Sequence, residues 1–521
     1  MILIVFASMS ASSLAAEDTG DAGFEIRAFE VTGNSIFQLE TLQNAVVSFT
    51  GSGKTASDVE KARDALEKLY HDAGYPAVMV NIPEQTLIDS VVKLQVIESR
   101  IGRLNISGNR YFTAEKIAKD LSSLAPGSMI YLPKVQAEIG RLNRNQDIKV
   151  EPFISPGKEP GIVDVEIKVE DHLPLHGYLE LNNRASHDTS ELRLNAMIRY
   201  DNLWQKGHSF SLQYQTAPQK LKEVQVAGGS YVLQSPWDAE HLIAVYGIWT
   251  DSETVFGEGF NIIGRGEIFG TRYVIPLLPY RLYNHNITLG VDYKHFNQAV
   301  GFKTESGQTT STAISYLPFS ISYTSSLPDE WGGETSFNGG LNFSFRGLIS
   351  DESEFELKRY KGTANYLYAT AGLQRSQKLP MEMGLLAKFD AQVSAQPLVD
   401  NEQYSSGGIE SVRGYRESEA MGDNSLHCTL EVSVPDPFEK TGAGRLLQMK
   451  PVLFYDVAKM TIHEPLQGQN RSSKIEGTGI GVRGAIMKNV EYELDWAMAL
   501  ISTERTRSGD HRIYFKFKAI I

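Results

Sequence analysis

The chain has 521 residues, more than one ordinary domain holds, and 41% of them are hydrophobic, which excludes a disordered chain. No stretch approaches eighteen consecutive apolar residues, which excludes a transmembrane helix but not a transmembrane barrel. The net charge of −13 argues against nucleic acid as a partner, and the lone Cys428 excludes a disulfide framework and a cysteine-rich zinc site.

Residues 1–16 read as an export signal. An apolar run, Met1 to Phe6, leads through small residues to Ser13-Leu14-Ala15, a cleavage-like site that lacks a basic leader. A repeat follows. An alternating strand ends in Val31-Thr32-Gly33-Asn34-Ser35, and ~75 residues later another ends in Ile106-Ser107-Gly108-Asn109-Arg110. In the first copy, 38–47 and 57–73 read as helices, with Ser57 as N-cap and Glu60 three residues on, and 77–82 and 90–97 as strands. In the second, 114–124 and 132–143 are helical, and 148–154 and 161–169 are strands. The order strand–helix–helix–strand–strand predicts two small α/β domains in tandem, 24–98 and 99–171. Within the first, Thr50 to Thr55 imitates a phosphate-binding loop, but its first glycine would fall on Ser48 and no parallel-sheet unit surrounds it.

From His172 helical periodicity gives way to sixteen alternating segments: 176–184, 191–201, 207–216, 222–233, 240–250, 258–275, 285–296, 312–323, 332–346, 358–373, 381–395, 425–434, 449–458, 475–486, 490–501 and 510–519. Connections after even-numbered segments are mostly short and those after odd ones longer; the longest is 397–424. Tight turns at one end, long loops at the other and an even strand count predict a 16-stranded antiparallel transmembrane β-barrel over 172–521. The 45 glycines, 23 tyrosines and 23 phenylalanines suit it. Cys428 reads as a small residue packed in a strand.

Four local features sharpen this. Val412-Arg413-Gly414-Tyr415 lies in the longest loop. Phe454-Tyr455-Asp456 lies on the strand after next, where Phe454 and Asp456 share a face opposite Leu453, Tyr455 and Val457. The apolar face belongs to lipid, so Asp456 faces the lumen, where a carboxylate can hold an arginine bidentately. Glu431, between Leu430 and Val432, should point inward too and is a second acceptor for Arg413; each acid is otherwise a solvated lumen residue. Gly477, Gly479 and Gly481 form a stripe on the next strand, giving room for a loop tip or curvature for the sheet. Gly74-Tyr75-Pro76 leads to Ile82-Pro83-Glu84-Gln85 in the first α/β domain.

With these motifs the sequence resembles the two-partner secretion transporters of the haemolysin-activator type, barrels preceded by POTRA domains, over nearly the whole chain from Phe24. The resemblance implies two tandem POTRA domains in the periplasm and a barrel in the bacterial outer membrane. It implies a loop whose Val412–Tyr415 tip folds into the lumen, docking against Phe454, Asp456, Glu431, Gly479 and Gly481. The family's glycine two residues after the aspartate is Ala458 here. Pro83 and Gln85 fall in the family's strand-and-turn region of the first POTRA domain. The partner implied is a secreted exoprotein, adhesin-like or toxin-like, with an N-terminal secretion domain. It would pair with POTRA strand edges and thread the lumen once the loop yields. No cofactor is implied, and the barrel is expected to be a lipid-embedded monomer. The family's plug helix does not fit into 17–23, so either it is lacking or the N-terminus is incomplete. An outer-membrane assembly factor and a passive porin are the rival readings. A barrel enzyme is a third, for which no catalytic constellation appears.

Overall fold

The computed structural model describes residues 23–521 apart from 188, 239, 253–263, 301–309, 350, 440–443, 445 and 488. The expected export signal, 1–16, lies outside the described residues, as does 258–263 of the sixth alternating segment. The chain divides into two compact units, one up to Pro174 and one from Leu175.

The first unit holds the repeat. In copy one, Ala28–Thr32 runs parallel to the central strand Val91–Glu98, which Val78–Asn81 joins antiparallel. Helices Leu39–Val46 and Ala56–Asp72 cover this sheet, burying Leu42, Val59, Leu66 and Tyr70 against Val80 and Leu94. Copy two repeats the pattern. Arg100–Ser107 is parallel to Ile162–Asp171, Ile148–Pro156 is antiparallel to it, and helices Ala114–Asp120 and Leu132–Leu142 cover the sheet.

The Gly-Asn turns explain why the repeat survives in sequence. Gly33 and Gly108 have φ of 80° and 89°, and a Cβ on either would meet a backbone oxygen of the central strand, Val96 O at 2.2 Å or Val169 O at 2.4 Å. The next residue donates its side-chain amide three residues on, Asn34 to Phe37 O at 2.7 Å and Asn109 to Phe112 O at 2.8 Å. Two local expectations need correction. The long first-copy helix starts at Ala56, one turn-position earlier than its predicted cap. Its cap is Thr55, whose N–H donates to Asp58 at 3.0 Å; Ser57 lies inside the first turn. The glycine-rich segment before it is a short strand, Gly51–Lys54, paired with Phe24–Ile26.

The second unit is a closed antiparallel barrel. Its sixteen wall positions, in chain order, are Leu175–Asn182, Arg193–Leu203, His208–Thr216, Gln225–Gln234, Leu242–Ser252, Gly264–Pro276, Asn284–Val300, an interrupted eighth, Gly333–Ser344, Tyr366–Lys378, Gly384–Ser394, Asn424–Ser433, Leu447–Thr461, Ser472–Ile486, Val490–Ala499 and His511–Ile520. The sixteenth closes on the first through Lys516↔Asn182 to Ile520↔Tyr178. The eighth consists of Thr310–Tyr316 and Phe319–Pro328, both paired to the seventh in one register. Pro318 has no N–H to give the ladder, and only its carbonyl is used, accepting from Asp292 N at 3.0 Å. The eighth wall position therefore reaches Pro328, beyond the 323 predicted. The segment predicted as strand from 358 instead begins with the end of a helix, Glu352–Lys358, and the strand starts at Tyr366.

Alternation sorts the side chains. Leu179, Leu181, Phe210, Leu212, Val245, Phe269, Leu289, Ile321, Leu430 and Leu453 are exposed on the outside, while Asn195, Asp292, Asp456 and Asp495 are buried inside. An apolar exterior on a closed barrel is the signature of a membrane-spanning one. Cys428 is exposed on the outer face between Leu426 and Leu430, rather than packed, because its parity on the strand points it outward.

Candidate functional site

The loop between the eleventh and twelfth wall strands carries a short hairpin, Tyr404–Ser406 with Ala420–Gly422, and its tip is buried against the lumen side of the last five wall strands. Val412 and Tyr415 are fully buried, in a cluster with Ala458, Met460, Ile475 and Ala499. The methyl of Ala458, where the resembling family carries glycine, is part of that packing. Tyr415 OH donates to the carbonyl of Ile501, 2.7 Å away, lies 2.9 Å from that of Glu476, and accepts from Ile501 N at 3.2 Å.

Arg413 makes the central contact. Its Nε and Nη2 donate to the two oxygens of Asp456 at 2.7 and 2.9 Å, and its backbone N–H reaches the same carboxylate at 3.2 Å. Nη1 donates to Glu431 at 2.9 Å and lies 3.5 Å from Asp495. The guanidinium carbon sits 3.4 Å from the ring centroid of Phe454, adding a cation–π contact. Only arginine can serve two carboxylates and a ring face at once. Arg413 is 3% exposed and Asp456 wholly buried, so water screens this pair little.

The wall is shaped to admit the tip. Gly477 lies directly beside Asp456 across the ladder, and a Cβ there would stand 1.7 Å from Arg413 O. Gly414 has φ of 105° and would press a side chain onto the backbone of Met498 and Ala499. The other two glycines of the stripe serve wall residues. Gly479 leaves space for the Phe454 ring, and Gly481 for the carboxylate of Asp495.

Comparison with known proteins fits this geometry. Residues 161–484 match the family described as haemolysin secretion/activation protein ShlB/FhaC/HecB, and 24–99 match the ShlB-type POTRA domain. The chain belongs to this haemolysin secretion/activation family. It is 23% identical over 401 residues to the outer membrane transporter CdiB of Dickeya dadantii, covering 71% of this chain and 66% of that protein. It is 19% identical to the heme/hemopexin transporter protein HuxB of Haemophilus influenzae, covering 74% and 67%. The chain thus spans about two thirds of the length of these relatives. The solved CdiB of Escherichia coli superposes with a TM-score of 0.65 at 15% identity, over 99% of this chain and 94% of that one, a likeness of fold. As a member of this family the chain is an outer-membrane β-barrel with N-terminal POTRA domains, which lie in the periplasm in such proteins.

Pro83 and Gln85 belong to the other unit. The register of Val78–Asn81 on the central strand would place Pro83 opposite Lys93. Proline cannot donate there, and the Gln85 side chain does so instead. Its Oε1 accepts from Lys93 N at 2.6 Å and its Nε2 donates to Lys93 O at 2.9 Å. These two residues hold a sheet end together.

Loop contacts that sequence reasoning missed include Asp495 and Tyr514 on the wall, Arg184 beside the first wall strand, which donates to Glu417 and Glu410 of the loop, and Glu402 within the loop itself. Asp495 is flanked by Leu494 and Trp496 and could have been found by strand parity, as Glu431 was. It also holds Arg483, at 2.5 and 2.9 Å, which with Lys516 and Glu493 extends the ion cluster along the wall. Tyr514 accepts from Gly414 N at 2.9 Å and donates to Tyr415 O. Nothing local marks a tyrosine for that task. Glu402, discussed below, precedes the motif and carries no motif of its own. The carboxylates of the cluster are taken up by arginine and lysine.

Proposed function

We propose that this chain exports an unfolded partner polypeptide across the outer membrane, and that the loop tipped by Arg413 is the gate of the pore. The observation that carries the reading is the bidentate Arg413–Asp456 pair. A chain segment that enters the lumen and is fastened there by a buried ion pair obstructs the pore, yet forms no part of the wall ladder, so it can yield without breaking the barrel. Family membership and the transporter relatives support export.

The partner we infer is an exoprotein of adhesin or toxin type, presented unfolded in the periplasm. The three-stranded sheets of the first unit offer edges at Ala28–Thr32, Val78–Asn81, Arg100–Ser107 and Ile148–Pro156 on which an extended segment can pair. Pairing needs neither cofactor nor catalysis, and the barrel acts as a monomer in lipid.

The test is release of a large exoprotein co-expressed with this chain, chosen from the neighbouring genes of the source genome where they encode one. Cells with this chain should place it in the medium, and cells without the chain should retain it. Retention with normal assembly of the cell's other barrels supports export. Unchanged release together with a general loss of barrels would overturn export in favour of assembly.

A further inference from the structure

The motif-bearing tip is fastened to one side of the lumen, and the start of the same loop is fastened to the other. Glu402 closes the single turn Asp400–Glu402 and is 4% exposed. Its Oε1 accepts from Lys294 Nζ at 2.6 Å and from Tyr316 OH at 2.7 Å, and its Oε2 from Tyr368 OH at 2.8 Å. Phe355, Tyr366, Leu398, Val399, Phe296 and Ile314 pack around it as one apolar cluster. A carboxylate held by an ammonium and two phenols inside such a cluster is a strong contact, because water is kept from both charges.

Its position on the wall gives the contact its meaning. Lys294, Tyr316 and Tyr368 stand on wall positions seven, eight and ten, whereas Asp456, Asp495 and Tyr514 stand on thirteen, fifteen and sixteen. Positions seven and fifteen, like eight and sixteen, are half a circumference apart in a sixteen-position barrel. Sixteen strands at their usual spacing and tilt close a wall about 30 Å across. The backbone of the loop stays by the nearer wall: Glu402 O accepts from Gln392 Nε2 on position eleven at 3.1 Å, and Tyr404 pairs with Gly422, which lies against Met460 and Thr461 on position thirteen, so it is the Glu402 side chain that reaches out to positions seven to ten. At the root the two legs of the loop are clipped together by Asp423, which accepts from Leu398 N and Gln403 Nε2, both at 2.9 Å, and also from His463 N of a neighbouring connection at 2.6 Å.

We infer that Glu402 is a second anchor of the gate, a positioning residue that ties the root of the loop to wall positions seven, eight and ten while Arg413 ties its tip to the later ones. Releasing the tip alone leaves the root tethered on positions seven to ten; a fully open lumen requires both contacts to break. The inference rests on the reading of the loop as the gate, but its test needs no exported partner.

The test is single-channel conductance of the full chain in planar lipid bilayers, with heat-modifiable gel mobility as the check of folding. Arg413→Ala and Glu402→Gln should each raise the mean conductance, and the double variant should exceed either by about twofold or more, as for two restraints acting in parallel. Lys294→Met should match Glu402→Gln without touching the loop, and Glu402→Lys paired with Lys294→Glu should restore wild-type conductance, which a merely structural role would not require. Should Glu402→Gln fail to fold, Tyr316→Phe and Tyr368→Phe each remove one hydroxyl and should give smaller rises. Wild-type conductance in every folded Glu402, Lys294 and tyrosine variant would overturn the inference, as would a double variant no more open than Arg413→Ala. Loss of partner release with this conductance order intact would count against the export reading alone.

Discussion

Arg413 and Arg272 each centre an ion cluster that faces the lumen, and the two differ in what they join. Arg413 comes from a loop and grips a wall. Arg272 comes from the wall itself and grips its neighbours, donating to the two oxygens of Asp292 at 2.6 and 2.9 Å and to Tyr246 OH at 2.8 Å, while that hydroxyl donates to Asp292 at 2.6 Å. Both clusters sit over glycine. Gly270 lies in the ladder between Tyr246 and Asp292, and a Cβ there would meet both side chains at 2.3 Å, much as Gly477 admits Arg413. The chemistry is the same and the mechanical consequence is not. Strands already tied by a continuous backbone ladder gain stability from Arg272, whereas Arg413 and Asp456 fix where the tip of the loop rests.

The comparison breaks most sharply at Arg413. Arg413→Ala, although it raises the resting conductance, should nearly abolish release of the exported protein, by about tenfold or more, because a tip lost from its docked position lies free in the path of the client, while the barrel still assembles. Arg413→Lys should also be poor, since an ammonium cannot make the paired contact. Pulse-labelled protein in the medium measures the first effect and gel mobility the second. An unfolded Arg413→Ala barrel would erase the distinction between the clusters.

Gly477→Ala should come next. Its methyl would collide with a backbone oxygen that cannot turn aside, so the tip must lift, at about 1–3 kcal/mol, and release should fall severalfold. Gly270→Ala should instead lower the temperature at which the barrel unfolds in detergent and leave release within about twofold. Arg272→Ala belongs with it: about 1–3 kcal/mol of stability lost, less than for a fully dry pair because Arg272 keeps a quarter of its side chain accessible, and release again near normal. A release defect from Arg272→Ala as deep as that from Arg413→Ala would show that the wall cluster also acts on the gate. The smallest effect should come from Cys428→Ala, on the lipid face away from both clusters, which should change unfolding by less than about 0.5 kcal/mol.

What the sequence revealed of all this follows from how each feature is encoded. The α/β repeat was legible because a left-handed Gly-Asn turn needs those two residues in each copy. The wall was legible because lipid and lumen enforce period two, and the same parity that turns Leu453 and Tyr455 outward turns Asp456 to the site. Helix capping was misplaced by two residues because Ser57 and Glu60 imitate the pattern that Thr55 and Asp58 use. The break at Pro318 was missed because the flanking segments keep one register. Cys428 was read from its residue type when its parity was the better guide. Glu402 and Tyr514 carry no local signal. Their value comes from which wall position faces which, and that is set only when the sixteenth strand closes on the first.

The central claim is that Arg413 and Asp456 act as one unit. The most direct test is the double-mutant cycle on release rate, with Arg413→Ala, Asp456→Ala and the pair combined in folded barrels. Either change strands the other charge, so the account predicts that the double variant is little worse than either single one. Log rates that simply add would show that the two residues work separately, and the fastening of the gate by this pair would then be wrong.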